Sequence, residues 1–226
     1  MSDSLTAERW DAEYRAGRYV DEPPLPFVDT ILAVLAARPA VRGGAGLYVG
    51  CGNGRNYLPL VDGGLTLWGL DLSPEALRQL AARRPDQAAR LRHADFLGFE
   101  PDGALAYVIA IQVFQHARQA DVHAYFARAR ALLQPGGLLF LRVNSAATEI
   151  HHAHEVVERN AQGGFTLEYR DGPKRGLAVH FSTRAELAAL AEDGFRGVTE
   201  PREDVIRRPE PKQGSWAQWE AIYEKR

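Results

Sequence analysis

Between Leu47 and Asn56 the chain reads Leu-Tyr-Val-Gly-Cys-Gly-Asn-Gly-Arg-Asn, a short apolar run broken by glycines at alternate positions. Such a run reads as a buried strand, and glycine accepts left-handed backbone and the close approach of another group without a side-chain clash. Gly50, Cys51, Gly52, Asn53 and Gly54 are therefore predicted to turn directly after a strand and before a helix. Further apolar runs follow at 65–71, 91–96, 106–112 and 138–143, separated by stretches of helical spacing. Continuous apolar runs suit parallel strands buried on both faces, and strand–helix alternation implies a doubly wound sheet. The expected fold is α/β: a mostly parallel seven-stranded sheet closed by a C-terminal antiparallel strand pair, with helices on both faces and an N-terminal helical lid.

Local signals fill in the rest. A first helix is expected over 6–16, with Trp10 and Tyr14 one turn apart and Gly17 ending it; after the proline-rich stretch 21–26, Phe27, Ile31, Val34 and Leu35 mark a second, stopped at Pro39. Ser73-Pro74-Glu75 supplies a cap, a first-turn proline and an acid for another. Val122, Tyr125, Phe126, Ala129 and Leu132 recur at helical spacing up to Pro135-Gly136-Gly137, predicted to end that helix. The rhythm is lost over 144–181, where alternating runs at 165–169 and 177–181 flank Asp171-Gly172-Pro173 as a hairpin. Thr183 and Glu186 have capping-box spacing, opening a helix that runs to Gly194. Segments 196–206 and 215–223 read as two final strands joined by the turn Arg-Arg-Pro-Glu-Pro-Lys-Gln-Gly-Ser. The organisation expected is a single domain, 1–226, with the lid at 1–40 and an insertion at 145–181 capping the substrate.

Composition narrows the partners. The 226 residues are 46% apolar, enough to fill a sizeable core, and 29 acids against 27 bases leave no basic excess of the kind nucleic acid selects. The single cysteine, Cys51, excludes an internal disulfide and suits a reducing compartment. The polar, acidic start carries no secretion signal, and no apolar run reaches the about eighteen residues of a membrane span. A cytoplasmic protein acting on a small molecule, with no nucleic-acid or membrane partner, is expected; oligomeric state is not readable.

An acid closing the second strand, Asp71, can accept both hydroxyls of a ribose. The dinucleotide fingerprint G-x-G-x-x-G does not fit, because Arg55 stands at its sixth position and the third glycine comes one residue early. Taken with Ala94-Asp95-Phe96 and Leu133-Gln134-Pro135-Gly136-Gly137, the region from about residue 40 to 145 resembles the class I S-adenosylmethionine-dependent methyltransferases. The resemblance implies that Gly50, Gly52 and Gly54, with Tyr48, Cys51, Asn53 and Asn56 around them, cradle the methionine and ribose parts of S-adenosylmethionine. It implies that Asp71 holds the ribose, that Leu72, Asp95 and Phe96 meet the adenine, and that Ala110, Ile111 and Gln112 border the methionine end. Two positions depart from the family pattern: Tyr48 stands where an acid usually pairs with the methionine ammonium, and Ala106 where an aspartate is common. The flank from Trp10 to Tyr19 and Gly54-Arg55-Asn56 are similar to the thiopurine and tellurite-resistance branch, whose N-terminal segment covers the cofactor.

Several residues keep two readings. Trp10, Tyr14 and Tyr19 line the acceptor pocket, or anchor a helix on the sheet edge. His116 is a general base near the methyl group, or a histidine with a structural hydrogen bond at a helix start. Arg142 and Asn144, ending the fifth strand, are expected to face the acceptor. His151, His152 and His154 do not converge as zinc ligands and are read as a solvated or pocket-edge helix, so no metal is expected. Cys51 is a small residue chosen for fit rather than a nucleophile. The reaction expected is in-line methyl transfer without a covalent intermediate. The alternatives are a non-catalytic binder of S-adenosylmethionine or S-adenosylhomocysteine and a nucleotide-dependent oxidoreductase.

Overall fold

A computed structural model describes residues 2–210 and 213–226. The chain divides into two compact units: one takes the chain up to Ile109 and Leu132–Leu138, the other Ala110–Ala131 and Leu139–Arg226.

The first unit opens with α1 (Ser2–Arg15), α2 (Phe27–Ala36) and the short α3 (Pro39–Arg42), then alternates β1 (Gly46–Val49), α4 (Tyr57–Asp62), β2 (Leu67–Asp71), α5 (Pro74–Arg83) and β3 (Leu91–His93). It also holds most of β4 (Leu105–Ile111) and the start of β5 (Leu133–Asn144). The strand order is β5-β4-β1-β2-β3, with β1, β2 and β3 parallel. Every residue of β1 and β4 is buried, as continuous apolar strands in a doubly wound sheet require. The chain winds outward from β1 in one direction through β2 and in the other through β4. The turn after β1 thus lies at the point where strand order reverses, which is where open α/β sheets take their ligands. Helix α5 starts as its residues dictate, with the Ser73 hydroxyl accepting from the Ala76 N–H at 3.0 Å and Pro74 in the first turn.

The second unit holds α6 (Gln119–Leu132) up to Ala131, the end of β5, then β6 (His154–Arg159), β7 (Phe165–Tyr169), β8 (Ala178–Phe181), α7 (Arg184–Glu192), β9 (Phe195–Gly197), β10 (Arg202–Arg207) and β11 (Ser215–Lys225). Its strand order is β10-β11-β5, with β9 also pairing β11; both pairings of β11 with β9 and β10 are antiparallel. A separate antiparallel sheet, β6-β7-β8, buries Leu167, Val179 and Phe181, with Phe165 stacked on Phe181 at 5.1 Å.

The parallel sheet and the C-terminal antiparallel pair are as expected, with β9 added to the pair as a third partner of the last strand. Four local expectations are corrected. Residues around the three histidines form a loop and strand β6 rather than a helix; His-Glu-Val-Val-Glu-Arg packs only one half-buried edge, so neither helical nor strand period shows in it. Pro135-Gly136-Gly137 lies inside β5 rather than between helix and strand. A Cβ on Gly137 would stand 3.0 Å from the Ala106 carbonyl, so glycine there permits close strand approach. The third strand stops at His93, because Asp95 turns the chain by accepting the Leu97 N–H at 2.8 Å. Thr183 does cap α7, accepting from Glu186 N–H at 3.1 Å, but the Glu186 carboxylate turns into the interior instead of back to the cap. Of the turn before β11, Pro211 and Lys212 lie outside the described residues; its flanks close through Arg208 N–H to the Gly214 carbonyl at 3.0 Å.

Candidate active site

The glycine turn folds as its spacing demands: Gly50, Gly52 and Gly54 all take positive φ, at 66°, 55° and 100°. The Gly52 N–H donates to Asp71 Oδ2 at 2.7 Å, and the Ser73 N–H donates to Asp71 Oδ1 at 2.8 Å. One buried carboxylate therefore joins the turn after β1 to the end of β2. Burial pushes its pKa above the ordinary carboxylate range, while the N–H groups of Ser73, Gly52 and Leu72 pull the other way. Three N–H groups on a carboxylate with about four acceptor sites leave acceptor capacity for a further donor.

Residues from α1 to Leu25 are fastened to this turn. Asp11 Oδ1, buried, accepts the Ser73 hydroxyl at 2.6 Å and the Glu75 N–H at 3.0 Å; Gln79 donates to the Tyr14 carbonyl at 2.9 Å. The side chains of the motif itself complete the attachment. Asn53 donates to the Arg18 carbonyl at 3.1 Å, Arg55 donates to the Pro23 carbonyl at 2.8 Å and pairs with Glu22, and Asn56 Oδ1 accepts the Leu25 N–H at 2.9 Å. Trp10, Tyr14 and Tyr19 stand together, with ring centroids 5.9–6.5 Å apart. The Tyr14 hydroxyl lies over the turn, where a Cβ on Gly52 would be 2.4 Å from it. Tyr19 itself has a left-handed backbone, φ 66°.

Beneath the turn, Tyr48 is buried edge-on against Tyr57 at 6.1 Å and bonds to the Asn56 side chain. Burial raises its phenol, and that of Tyr14, well above the ordinary value, so both are neutral at physiological pH. Burial likewise raises the Cys51 thiol, which keeps it protonated and unreactive. Phe96 is buried; Asp95 and Leu72 are half-buried, and the Leu72 carbonyl contacts His93 Nε2 at 3.0 Å.

The remaining candidates lie in the second unit. Ile111 is buried, and Gln112 after it has φ 60°, unusual for a residue with a side chain. Its N–H donates to the Arg142 carbonyl at 2.7 Å, and a His116 ring nitrogen donates to the Gln112 carbonyl. Burial, with the Lys174 charge, holds the His116 pKa well below its usual value, so the ring is neutral. Arg142, 1% exposed, is fully engaged. It donates to Gln218 Oε1 at 2.6 Å and to Asp204 at 2.8 Å, and pairs with Glu220, which also pairs with Arg202. Asn144 Oδ1 accepts from Gln218 Nε2 at 3.2 Å and from the Trp216 indole at 3.5 Å, while its N–H donates to Gln115 Oε1 at 2.8 Å.

Residues 47–139 match the family model described as "Methyltransferase domain". This stretch, less than half of the chain, is similar to methyltransferase domains. Among curated proteins, the ubiquinone biosynthesis O-methyltransferase of Xanthomonas campestris pv. campestris is 28% identical over 143 residues. That match takes in 61% of this chain and 56% of the relative, so the chain spans little more than half of its length. Among solved structures, the 1,6-didemethyltoxoflavin-N1-methyltransferase of Burkholderia thailandensis, with bound 1,6-didemethyltoxoflavin and S-adenosylhomocysteine, shares the fold at TM-score 0.66. It is 22% identical, over 99% of this chain and 89% of that one. The magnesium protoporphyrin IX methyltransferase of Synechocystis PCC 6803, with bound S-adenosylmethionine, shares it at TM-score 0.69 and 15% identity, over 100% and 98% of the two chains.

The residues around the glycine turn fit the nucleoside part of S-adenosylmethionine. A carboxylate at the end of β2 has acceptor capacity left for hydroxyls, and the Gly52 turn has no side chain between it and the Tyr14 hydroxyl. At position 48 the fit differs from the family pattern, because a neutral phenol bonded to Asn56 balances no ammonium. Sequence reasoning missed Asp11, Gln218 and Glu220. Asp11 is partnered 62 residues away and Gln218 is 76 residues from Arg142, so no local spacing announces either.

Proposed function

We propose that the protein transfers the methyl group of S-adenosylmethionine to a small-molecule acceptor. The buried 2.7 Å hydrogen bond from Gly52 to Asp71 carries this reading, since it joins the glycine turn to a ribose-binding carboxylate at the switch point of the sheet. In it Gly50, Gly52 and Gly54 admit the cofactor, Asp71 takes the ribose hydroxyls, and Leu72, Asp95 and Phe96 border the adenine. The segment 1–40 serves as lid, with Trp10, Tyr14 and Tyr19 walling the turn, and 145–181 caps the acceptor. The names of the relatives support small molecules as the acceptor class.

Bound S-adenosylmethionine supplies an electrophilic methyl on a sulfonium. The chain's own part is to hold the reactants and exclude water, which suffices for an in-line displacement. The neutral His116 ring is unprotonated and so in the form a general base requires; replacement by Gln removes that base and keeps a donor to the Gln112 carbonyl. If His116 acts as base, His116→Gln lowers kcat by about 100-fold while cofactor affinity holds; equal kcat assigns it to structure alone.

Calorimetry with S-adenosylmethionine and S-adenosylhomocysteine tests the main reading. Both are expected to bind, and Gly52→Ala is expected to lose both, since its Cβ would meet Tyr14 and its φ of 55° disfavours a side chain. No binding to the native chain sinks the reading. The neutral Tyr48 favours one rival, a binder without turnover, which is identified by binding of both ligands with no methyl transfer to any acceptor.

A further inference from the structure

Strand β10 has one open edge, and its register on β11 fixes which residues face that way. The Arg208 N–H donates to the Gly214 carbonyl at 3.0 Å, and β10 keeps that register, with Ile206 opposite Trp216 and Asp204 opposite Gln218. Backbone groups alternate sides along an antiparallel strand, so Arg202, Asp204 and Ile206 bond to β11 while Glu203, Val205 and Arg207 present theirs to the open edge. The far side of β11 agrees. The carbonyls of Ser215 and Ala217, opposite Arg207 and Val205, accept from Glu149 and Ser145 instead. Among the described residues β10 ends the strand order, and Val205, 57% exposed, is the most exposed large apolar residue. An open row of N–H and C=O groups is a template for another strand, and edge charges ordinarily guard against it.

Here the charges complement a copy of themselves. We infer that the β10 edge docks the same edge of a second copy of this chain, antiparallel, about a two-fold axis through Val205. The segment runs Pro201-Arg202-Glu203-Asp204-Val205-Ile206-Arg207-Arg208-Pro209. With Val205 against Val205, Glu203 meets Arg207 at both ends of the join, and each outward-facing residue exchanges an N–H and a carbonyl with its opposite. Opposite charges and apolar side chains placed across strands stabilise such pairs. The ladder stops where Pro201 meets Pro209, neither of which has an N–H. Arg202 faces Arg208 in this register, but Arg202 is paired with Glu220 and Arg208 donates to the Glu149 carbonyl at 2.6 Å. Asp204, facing Ile206, is held by Arg142 at 2.8 Å. The adjacent registers are worse: one sets Asp204 against itself, and the other sets Pro209 against Glu203 and loses a hydrogen bond. Pairing of one patch with itself consumes both edges and closes at two copies. Glu203 also accepts the Ser145 hydroxyl, so the second copy borders the first residue of the segment 145–181.

Sedimentation equilibrium of the whole chain should show a monomer–dimer equilibrium with no larger species. Arg207→Glu sets two acids against each other at both ends of the join, and Glu203→Arg sets two bases. Each variant alone is expected to raise the dimer Kd by about 10-fold or more. Mixed in equal amounts, the two variants restore opposite charges at both ends, so their heterodimer should form with a Kd near the native value. Rescue on mixing also shows that both variants are folded. Val205→Pro removes an N–H that β11 does not use, and it should give a monomer whose urea midpoint at low concentration matches the native chain. Should that midpoint fall, the mixing experiment decides alone. A native chain that stays monomeric leaves the edge to some other strand and overturns the inference. A dimer whose Kd ignores both charge variants is joined through another face and overturns it too, as does a mixture that dissociates like its components.

Discussion

Asp71→Ala is expected to weaken S-adenosylhomocysteine binding by at least about 100-fold, roughly 2.7 kcal/mol, and to lower stability at the same time. Two effects add in this variant. The proposed acceptors for the ribose hydroxyls are lost, and the N–H groups of Gly52 and Ser73 lose charge-assisted bonds of 2.7 and 2.8 Å inside the protein. Each such bond to a charged group contributes about 1.5–3 kcal/mol, so a fall of about 3–6 kcal/mol in unfolding free energy is the upper range. Asp71→Asn separates the two. It keeps the shape and one acceptor, but its NH2 opposes either the Gly52 or the Ser73 N–H, so stability should fall less than in the alanine variant while binding still suffers. Calorimetric titration beside urea unfolding reads both. Unchanged affinity in a folded Asp71→Ala protein would mean that the nucleoside is held elsewhere.

Glu186→Leu is expected to cost about 3–6 kcal/mol, because it removes a buried carboxylate whose hydrogen bonds to His180 and Asn160 contribute about 1.5–3 kcal/mol each. The carboxylate and His180 are each 1% exposed; His180 Nε2 lies 2.9 and 3.0 Å from its oxygens, and Asn160 donates to it at 2.6 Å. On its other side the His180 ring meets the Thr166 hydroxyl at 2.9 Å, and Thr166 bonds to Glu158. Burial raises the Glu186 pKa, but the hydrogen bonds and charges of His180 and His123 outweigh it and leave the pKa depressed. A depressed acid contributes its full stability above the unfolded value of about 4.3 and loses it as pH falls through the folded value. The gap in urea midpoint between native and Glu186→Leu proteins should therefore be full at neutral pH and narrow below about pH 4. A gap that does not change with pH would show that packing, not charge, sets the loss.

How much could be read beforehand follows from range. The glycine turn and Asp71 lie close in sequence and sit on strands whose apolar runs are unmistakable, so both the sheet and the turn that closes its first strand were visible. Asn53 and Asn56 were read as cofactor contacts and Arg55 only as a break in the dinucleotide pattern; in the structure the side chains of all three bond to residues 18–25. Nothing in a glycine-rich motif distinguishes a side chain that meets a ligand from one that meets a remote loop. Arg142 was expected at a site edge; its partners Gln218 and Glu220 sit on the last strand, where polar residues ordinarily mark an exposed face. Strand β6 was missed because its alternation is interrupted by a bulge between Val156 and Glu158.

The attachment of residues 11–25 to the glycine turn makes this stretch a reporter of events it takes no chemical part in. Arg15 and Arg18 are exposed there, yet their neighbours Asp11, Tyr14 and the Arg18 carbonyl itself are held by Ser73, Gln79 and Asn53. A ligand that favours the ordered turn must, by mass action, also favour the docked segment. Trypsin cutting after Arg15 and Arg18 would then slow as the turn fills, so a gel could follow occupancy without a label, a coupled assay or any knowledge of the acceptor.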